Sequence, residues 1–295
     1  MTQSVEQARS LGLAGASNAR DLGGYRTADG SLVRHGVALR ADALHRLTEE
    51  DGAALIAAGV RRVVDLRSFG EVREAGADRI PGLPVAGLAE LERAEGTAAA
   101  LTVEGGLTLH HLPVFAADFD VYVALRDALA DRDPARQREL LGNGRAAGIM
   151  TGLYRWFVTA PEARERFAEV LRLLAAPDGP PVLFHCSAGK DRTGWVAALA
   201  LTALGVDRGT VYEDYLLTND RSARVVDHLM ESFGTSGLME DPSLLLPVLR
   251  AEREFLDAAF AEVDAGWESF DHFWRDGLGL DDAVLAGLRA NLLEP

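Results

Sequence analysis

The only cysteine of the chain stands six positions before an arginine, in the run His185-Cys186-Ser187-Ala188-Gly189-Lys190-Asp191-Arg192-Thr193-Gly194. What flanks this run restricts the fold. Before it, Pro181-Val182-Leu183-Phe184 is a short apolar stretch beginning at a proline, the pattern of a buried strand. After it, residues 193–204 are apolar almost all round and stop at Gly205, as a buried helix with a glycine terminator does. The run is therefore a loop between a strand and a helix N-terminus.

That position has a chemistry. Unpaired N–H groups of the loop and the first helical turn converge on one spot, and the helix dipole favours negative charge there. The same field favours thiolate over thiol, which makes Cys186 a nucleophile at neutral pH. Arg192 supplies a planar fork for two phosphate oxygens, and Ser187, Ala188, Gly189, Lys190 and Asp191 are the remaining candidates to line a bound phosphate. Attack by sulfur gives a phosphocysteine that water cleaves, with the Thr193 hydroxyl placed to help the sulfur leave. The bland alternatives are a buried hydrophobic cysteine and a surface arginine, and both would have to occur together at this spacing. A nucleotide-binding loop is excluded by Asp191 where Ser or Thr should hold magnesium, and by Phe184 where the first glycine should be.

The Cys-x5-Arg loop resembles that of the protein tyrosine phosphatase superfamily. Its Gly-Lys-Asp-Arg-Thr-Gly form is similar to that of bacterial, mostly actinobacterial, tyrosine and lipid phosphatases related to a secreted mycobacterial enzyme. Other segments agree in order: Asn18-Ala19-Arg20-Asp21-Leu22-Gly23-Gly24-Tyr25, Leu39-Arg40-Ala41-Asp42, Asp65-Leu66-Arg67-Ser68, and Asp214-Tyr215-Leu216-Leu217-Thr218-Asn219-Asp220. The resemblance implies an α/β fold with a central, mostly parallel sheet flanked by helices. It also implies a metal-independent phosphomonoesterase, a protein-tyrosine phosphatase with dual-specificity or phosphoinositide activity as extensions. Substrates would be phosphorylated proteins or phosphoinositides, and Lys190 could meet a second phosphate or a carboxylate of the protein itself.

The family places its general acid just after a Leu-Pro strand end, here Leu112-Pro113-Val114-Phe115-Ala116-Ala117-Asp118-Phe119-Asp120. The position that aligns without a gap is Ala116, so Asp118 is taken first, Asp120 second and Asp191 third. Arg20, Arg40 and Arg67 either contact substrate or pair with Asp21, Asp42 or Asp65, while Arg26 reads as a surface side chain. His185 is expected to hold the loop by hydrogen bonds to backbone rather than to transfer protons. His110 and His111 are adjacent on a strand and face opposite sides, so they cannot share an ion, and neither metal nor cofactor is implied.

Composition sets the outer limits. At 295 residues and 48% hydrophobic, with no 18-residue apolar run, the chain can bury a large core without a membrane span. A formal charge of -15 argues against nucleic acid or an anionic membrane as partner, yet leaves room for a local basic pocket. No secretory signal pattern is present, which makes the cytoplasm the default location, and the composition leaves oligomeric state open. The single cysteine has no resolving partner.

Alternating elements complete the reading: a turn at Asp29-Gly30, a helix from Thr48-Glu49-Glu50-Asp51 to Gly59, strands at 60–65 and 107–114, and a helix at 161–176. Residues 81–106 read as loop with some helix. Residues 1–295 are expected to form one phosphatase domain with helical additions at about 119–154 and 222–266, at least one of them a lid or both plain packing. The competing function is a phosphatase-fold module that binds phosphorylated ligands without turnover.

Overall fold

The structure is a computed structural model that describes residues 9–80, 99–102, 107–115 and 132–294. Among these, strands β1 (Arg20–Asp21), β3 (Ala38–Ala41), β4 (Arg62–Asp65), β5 (Ala99–Thr102), β6 (Thr108–His111) and β7 (Val182–His185) form a six-stranded sheet in the order β1-β3-β7-β4-β6-β5. β3, β7, β4 and β6 run parallel, and β1 and β5 are antiparallel edges. A small pair of β2 (Leu32–Val33) and β8 (Leu293–Glu294) joins the hairpin around Asp29-Gly30 to the last described residues.

β7 is sealed along its whole length, and the reason lies in its alternation. Val182 and Phe184 enter one core with Val64 and Ala38, while Leu183 enters the other with Val63, Leu39 and Ala41. Period-two side chains thus feed apolar layers on both faces, as a parallel sheet covered on two sides requires. The larger layer is helical: α4 (Arg145–Thr159), α5 (Pro161–Ala175), α6 (Asp191–Leu204) and α9 (Arg253–Trp267) supply Phe157, Phe167, Trp195 and Phe260, all at most 1% exposed. The other face is closed by α1 (Glu49–Ala57), where Thr48 and Asp51 form the expected reciprocal cap. Asp51 also accepts the N–H groups of Ala14 and Gly15, tying the N-terminal segment to this helix.

Several boundaries and one element differ from the sequence reading. Ala99–Thr102 is a strand rather than loop or helix, paired antiparallel with β6. Small residues and threonine give it no clear alternation, so only the partner strand reveals it. The helix after the phosphate loop begins at Asp191 and ends on Gly205, whose φ of +86 completes the left-handed cap. α2 (Phe69–Ala75), α3 (Pro134–Leu141), α7 (Arg208–Thr235), α8 (Leu246–Leu249) and α10 (Asp282–Leu292) complete the helical inventory used below. Among the described residues no helix is long and apolar enough to cross a membrane.

Register brings the site together. Ala41 and Asp65 both pair with His185, and Asp65 pairs with His111, so the carboxyl ends of the four parallel strands lie at one level. Their loops therefore open onto the same edge, where open α/β sheets hold ligands.

The charges behind that edge are fully buried. Asp214 of α7 accepts Arg20 Nε at 3.3 Å and Arg40 Nη1 at 2.5 Å, with both arginines 0% exposed. Burial pushes the Asp214 carboxyl up, but Arg20 and then Arg40 outweigh it and hold it far below the usual carboxylate range. An Asp214→Ala protein should leave two buried guanidinium groups uncompensated and lose about 3–5 kcal/mol of stability. Urea unfolding of the two proteins measures the difference, and a loss below about 1 kcal/mol would contradict the pairing as drawn.

Candidate active site

The phosphate loop is shaped by what holds its carbonyl groups. His185 O accepts Leu66 N at 2.9 Å, and Ser187 O accepts Ala43 N at 3.1 Å. Asn18 Nδ2 donates to Ala188 O at 2.9 Å and Gly189 O at 3.1 Å, and Arg40 Nη2 donates to Gly189 O at 2.8 Å. Because each peptide is planar and trans, a carbonyl pulled outward turns the next N–H to the opposite side. The amides of Ala188, Gly189 and Lys190 are thus aimed away from these anchors, ahead of the N-terminus of α6.

Gly189 is a local requirement of this path. Its φ is +65, and a Cβ there would stand 2.5 Å from Ala41 O and 2.7 Å from Asp42 N, so both backbone conformation and space demand glycine.

Cys186 lies at the end of β7, 2% exposed. Arg192, in the first turn of α6, donates to both oxygens of Glu71 at 2.7 Å each and to Leu66 O at 3.2 Å. Glu71 is the residue that the sequence reading missed. It sits at the third position of α2, where Ser68 and Glu71 form a capping box. The same carboxylate accepts Ser187 Oγ at 2.5 Å, so one side chain caps a helix, orients Arg192 and holds the loop. A Ser-x-x-Glu pattern after the Asp65-Leu66-Arg67 strand end was the available signal. Burial pushes the Glu71 carboxyl up, but the Arg192 charge and hydrogen bonds outweigh it and lower it from 4.5 to about 2. Thr193 Oγ1 is buried and has no hydrogen-bond partner among the described residues.

The remaining expected residues fall into supporting positions. Arg20 and Arg40 do not pair with Asp21 and Asp42: both turn to Asp214, and Arg20 Nη2 also meets Thr218 Oγ1 at 3.3 Å. Adjacent residues on a strand point to opposite faces, so Arg20 cannot fold back on Asp21. Asp21 instead accepts Gly23 N and Gly36 N, and Asp42 accepts Asn18 N. Arg67 does pair with Asp65, at 2.8 Å, and with Asp78 at 2.8 Å. Arg26 donates to Gly30 O on the surface.

His185 is fully buried, and its main partner is the Asp78 carboxylate at 2.8 Å, with Cys186 O at 3.3 Å from the other ring nitrogen. Burial lowers its pKa, but Asp78 and Asp65 outweigh this and raise it above 6.5. Asp65, Asp78 and His185 bring three ligand-type atoms within 4.8 Å, yet the Arg67 guanidinium already bridges the two carboxylates, which makes the group an ion-pair network under the loop. His111 is buried with Nε2 2.8 Å from Arg67 O, while His110 lies on the opposite strand face.

Of the two partners expected for Lys190, a second phosphate or a carboxylate of the protein, the structure shows a carboxylate, that of Asp191, together with two backbone carbonyls. Its ammonium turns away from the loop interior onto the carbonyls of Val248 (2.5 Å) and Arg250 (3.0 Å), at the end of α8, with Asp191 Oδ1 at 3.4 Å. The end of a helix, rich in unsatisfied carbonyls, attracts a cation as a second phosphate would. Asp191 accepts the Tyr154 hydroxyl at 3.0 Å. Asp118 and Asp120 lie outside the described residues.

Replacing Glu71 tests the Arg192 clamp. Its folded pKa is depressed, so its stabilising contribution is present above 4.5 and is lost as pH falls from 4.5 toward about 2. The Tm gap between wild type and Glu71→Gln should therefore be open at neutral pH and close across that window. Inorganic phosphate should also inhibit the variant about five- to tenfold more weakly at neutral pH, as an unoriented guanidinium would. A gap independent of pH would refute the pairing.

The geometry agrees with what the chain is similar to. It matches the tyrosine phosphatase family over residues 11–294. The triple specificity protein phosphatase PtpB of Mycobacterium tuberculosis is 33% identical over 305 aligned positions, spanning 95% of this chain and 98% of that protein. A protein of Cupriavidus necator provisionally named a tyrosine-protein phosphatase is 33% identical over 284 residues, 96% of this chain and 89% of that one. A tyrosine-protein phosphatase of Nostoc commune is 39% identical over 56 residues, 19% of this chain. The chain belongs to the tyrosine phosphatase family.

Proposed function

We propose that this phosphatase is a metal-independent protein-tyrosine phosphatase that works through a phosphocysteine. Cys186 is the nucleophile, Arg192 and the loop amides hold the phosphoryl oxygens, and Thr193 assists the departing sulfur. Asp118, on the segment after β6, is the acid for the leaving phenol, whose pKa near 10 makes protonation valuable. The observation that carries this reading is the joint geometry of the loop: its carbonyls are engaged outward, and Glu71 fixes the arginine fork in the first turn of α6.

Phosphorylated protein is the substrate class the family implies, with phosphoserine and phosphoinositides as extensions suggested by the similarity to a triple specificity enzyme. The engagement of Lys190 with carbonyl groups weakens the phosphoinositide extension, since that lysine was its sequence support. We read residues 1–295 as one phosphatase domain with helical additions at about 119–154, whose part before residue 132 lies outside the described residues, and at 222–266, at least one of them a cover for the site or both plain packing. Limited proteolysis with and without phosphate tests the cover: equal cutting in both segments would leave only packing.

Hydrolysis of p-nitrophenyl phosphate in EDTA should proceed in the wild type and be abolished by Cys186→Ser. Asp118→Asn should lower kcat for aryl phosphates at least tenfold, in line with typical acid contributions of about 10²–10⁴. A full-rate Asp118→Asn protein would transfer the acid role to Asp191. Turnover lacking at every pH from acid to neutral would favour the phosphate-binding module instead.

A further inference from the structure

One face of α7 carries four separate links to the phosphate loop. Asp214, Tyr215, Thr218 and Asn219 are spaced i, i+1, i+4 and i+5, which places them together on a helix. Asp214 acts on Gly189 O through Arg40, and Thr218 steadies Arg20. Asn219 exchanges two 2.8 Å hydrogen bonds with the Ala251 backbone, next to the Arg250 carbonyl that receives Lys190. These three links support backbone. The fourth reaches a reactive side chain.

Tyr215 lies on the first turn of α6: a Cβ on Gly194 would stand 2.9 Å from its ring. Its hydroxyl is 2.7 Å from that of Tyr154, and the Tyr154 hydroxyl donates to Asp191 Oδ1 at 3.0 Å. Tyr154 has one proton and gives it to Asp191, so the proton between the tyrosines comes from Tyr215. Both rings are sealed, at 0% and 1% exposed. Burial first, and the Asp191 charge second, push both phenols well above 10. The relay is therefore a fixed chain of donors ending on one carboxylate oxygen. Lys190 approaches the same Oδ1, while Oδ2 makes no hydrogen bond to a described residue. The Asp191 side chain is 15% exposed, one residue before Arg192 in a loop whose sulfur is nearly sealed.

We propose that Tyr154 and Tyr215 are positioning residues for the hydrolytic half of turnover, holding Asp191 so that Oδ2 takes a proton from the attacking water. The proposal rests on the phosphocysteine reading above. In that step the water oxygen bonds to phosphorus and the S–P bond breaks with its electron pair returning to Cys186. The water proton passes to Asp191 Oδ2. The products are inorganic phosphate and the Cys186 thiolate. An oxygen whose partner atom is pinned by two donors is built to accept, which separates this role from that of the acid on the segment after β6.

Stopped-flow turnover of p-nitrophenyl phosphate by Tyr154→Phe and Tyr215→Phe tests it, since phenylalanine keeps the packing and removes only the hydroxyl. Its leaving group departs easily, so phosphorylation of the enzyme should stay fast while hydrolysis slows. The expected result is a kcat about tenfold lower, a burst near one equivalent of p-nitrophenol, and competitive inhibition by inorganic phosphate within about twofold of wild type. Unchanged kcat, or a lower kcat without a burst, would overturn the proposal, because a merely structural role does not accumulate phosphoenzyme. Either variant alone suffices if the other fails to fold. A Cys186→Ser protein that still turned over at the wild-type rate would instead remove the phosphocysteine reading and leave the relay a separate question.

Discussion

Peptide planarity is the constraint from which the site follows. Three consecutive loop carbonyls, those of Ser187, Ala188 and Gly189, are each engaged from outside by Ala43 N, Asn18 Nδ2 or Arg40. Fixing three carbonyls fixes the three following amides, so the backbone alone turns three N–H groups to the inner side of the loop. The donors that do this come from the ends of β3 and the segment before β1, brought to β7 by strand pairing. A sheet register is thus converted into a binding site, and Gly189 is the point where backbone touches backbone.

Side-chain chemistry adds a second order of support. Arg192 is held by Glu71, Glu71 by the start of α2, and α2 by Ser68 at the end of β4. The charged network of Asp65, Arg67, Asp78 and His185 lies under the same strand ends. Buried ion pairs of this type add little net stability compared with apolar packing, but breaking one partner is costly. Their use here is geometric: they hold His185, the residue before Cys186, at the carboxyl ends of the strands.

Local pattern made part of this legible. Strand, loop and helix around Cys186 were readable because each has its own period, and Thr48 to Asp51 declared a helix start that the structure bears out. The Arg67–Asp65 pair was among the alternatives offered because the two residues lie two apart in the chain, where β4 ends. Arg20 and Arg40 were not, because their partner Asp214 lies 194 and 174 positions away and only the tertiary fold connects them. For Lys190 a protein carboxylate was one of the two expected partners, but the backbone carbonyls of Val248 and Arg250 that also receive it lie at and just past a four-residue helix with no sequence signature. Glu71 lay between these cases, visible as a cap but not as the partner of an arginine 121 positions on.

The strongly acidic body and a phosphate-attracting site are reconciled by where the charges lie. The formal charge of -15 is distributed over a solvated surface, where fields decay within about 8 Å at physiological salt. Behind the loop, one carboxylate, Asp214, answers two guanidinium groups, Arg20 and Arg40, so one positive charge stays uncancelled in that trio. Arg40 carries it to within 2.8 Å of the Gly189 carbonyl. Buried charge is screened far less than surface charge, so a bound phosphoryl group senses this excess more strongly than the distant acidic exterior. Glu71 accepts both Nη groups of Arg192 at 2.7 Å and so fixes the orientation of the guanidinium plane at the start of α6. The positive excess thus sits in the scaffold behind the loop, and the Glu71–Arg192 ion pair sits at the start of α6.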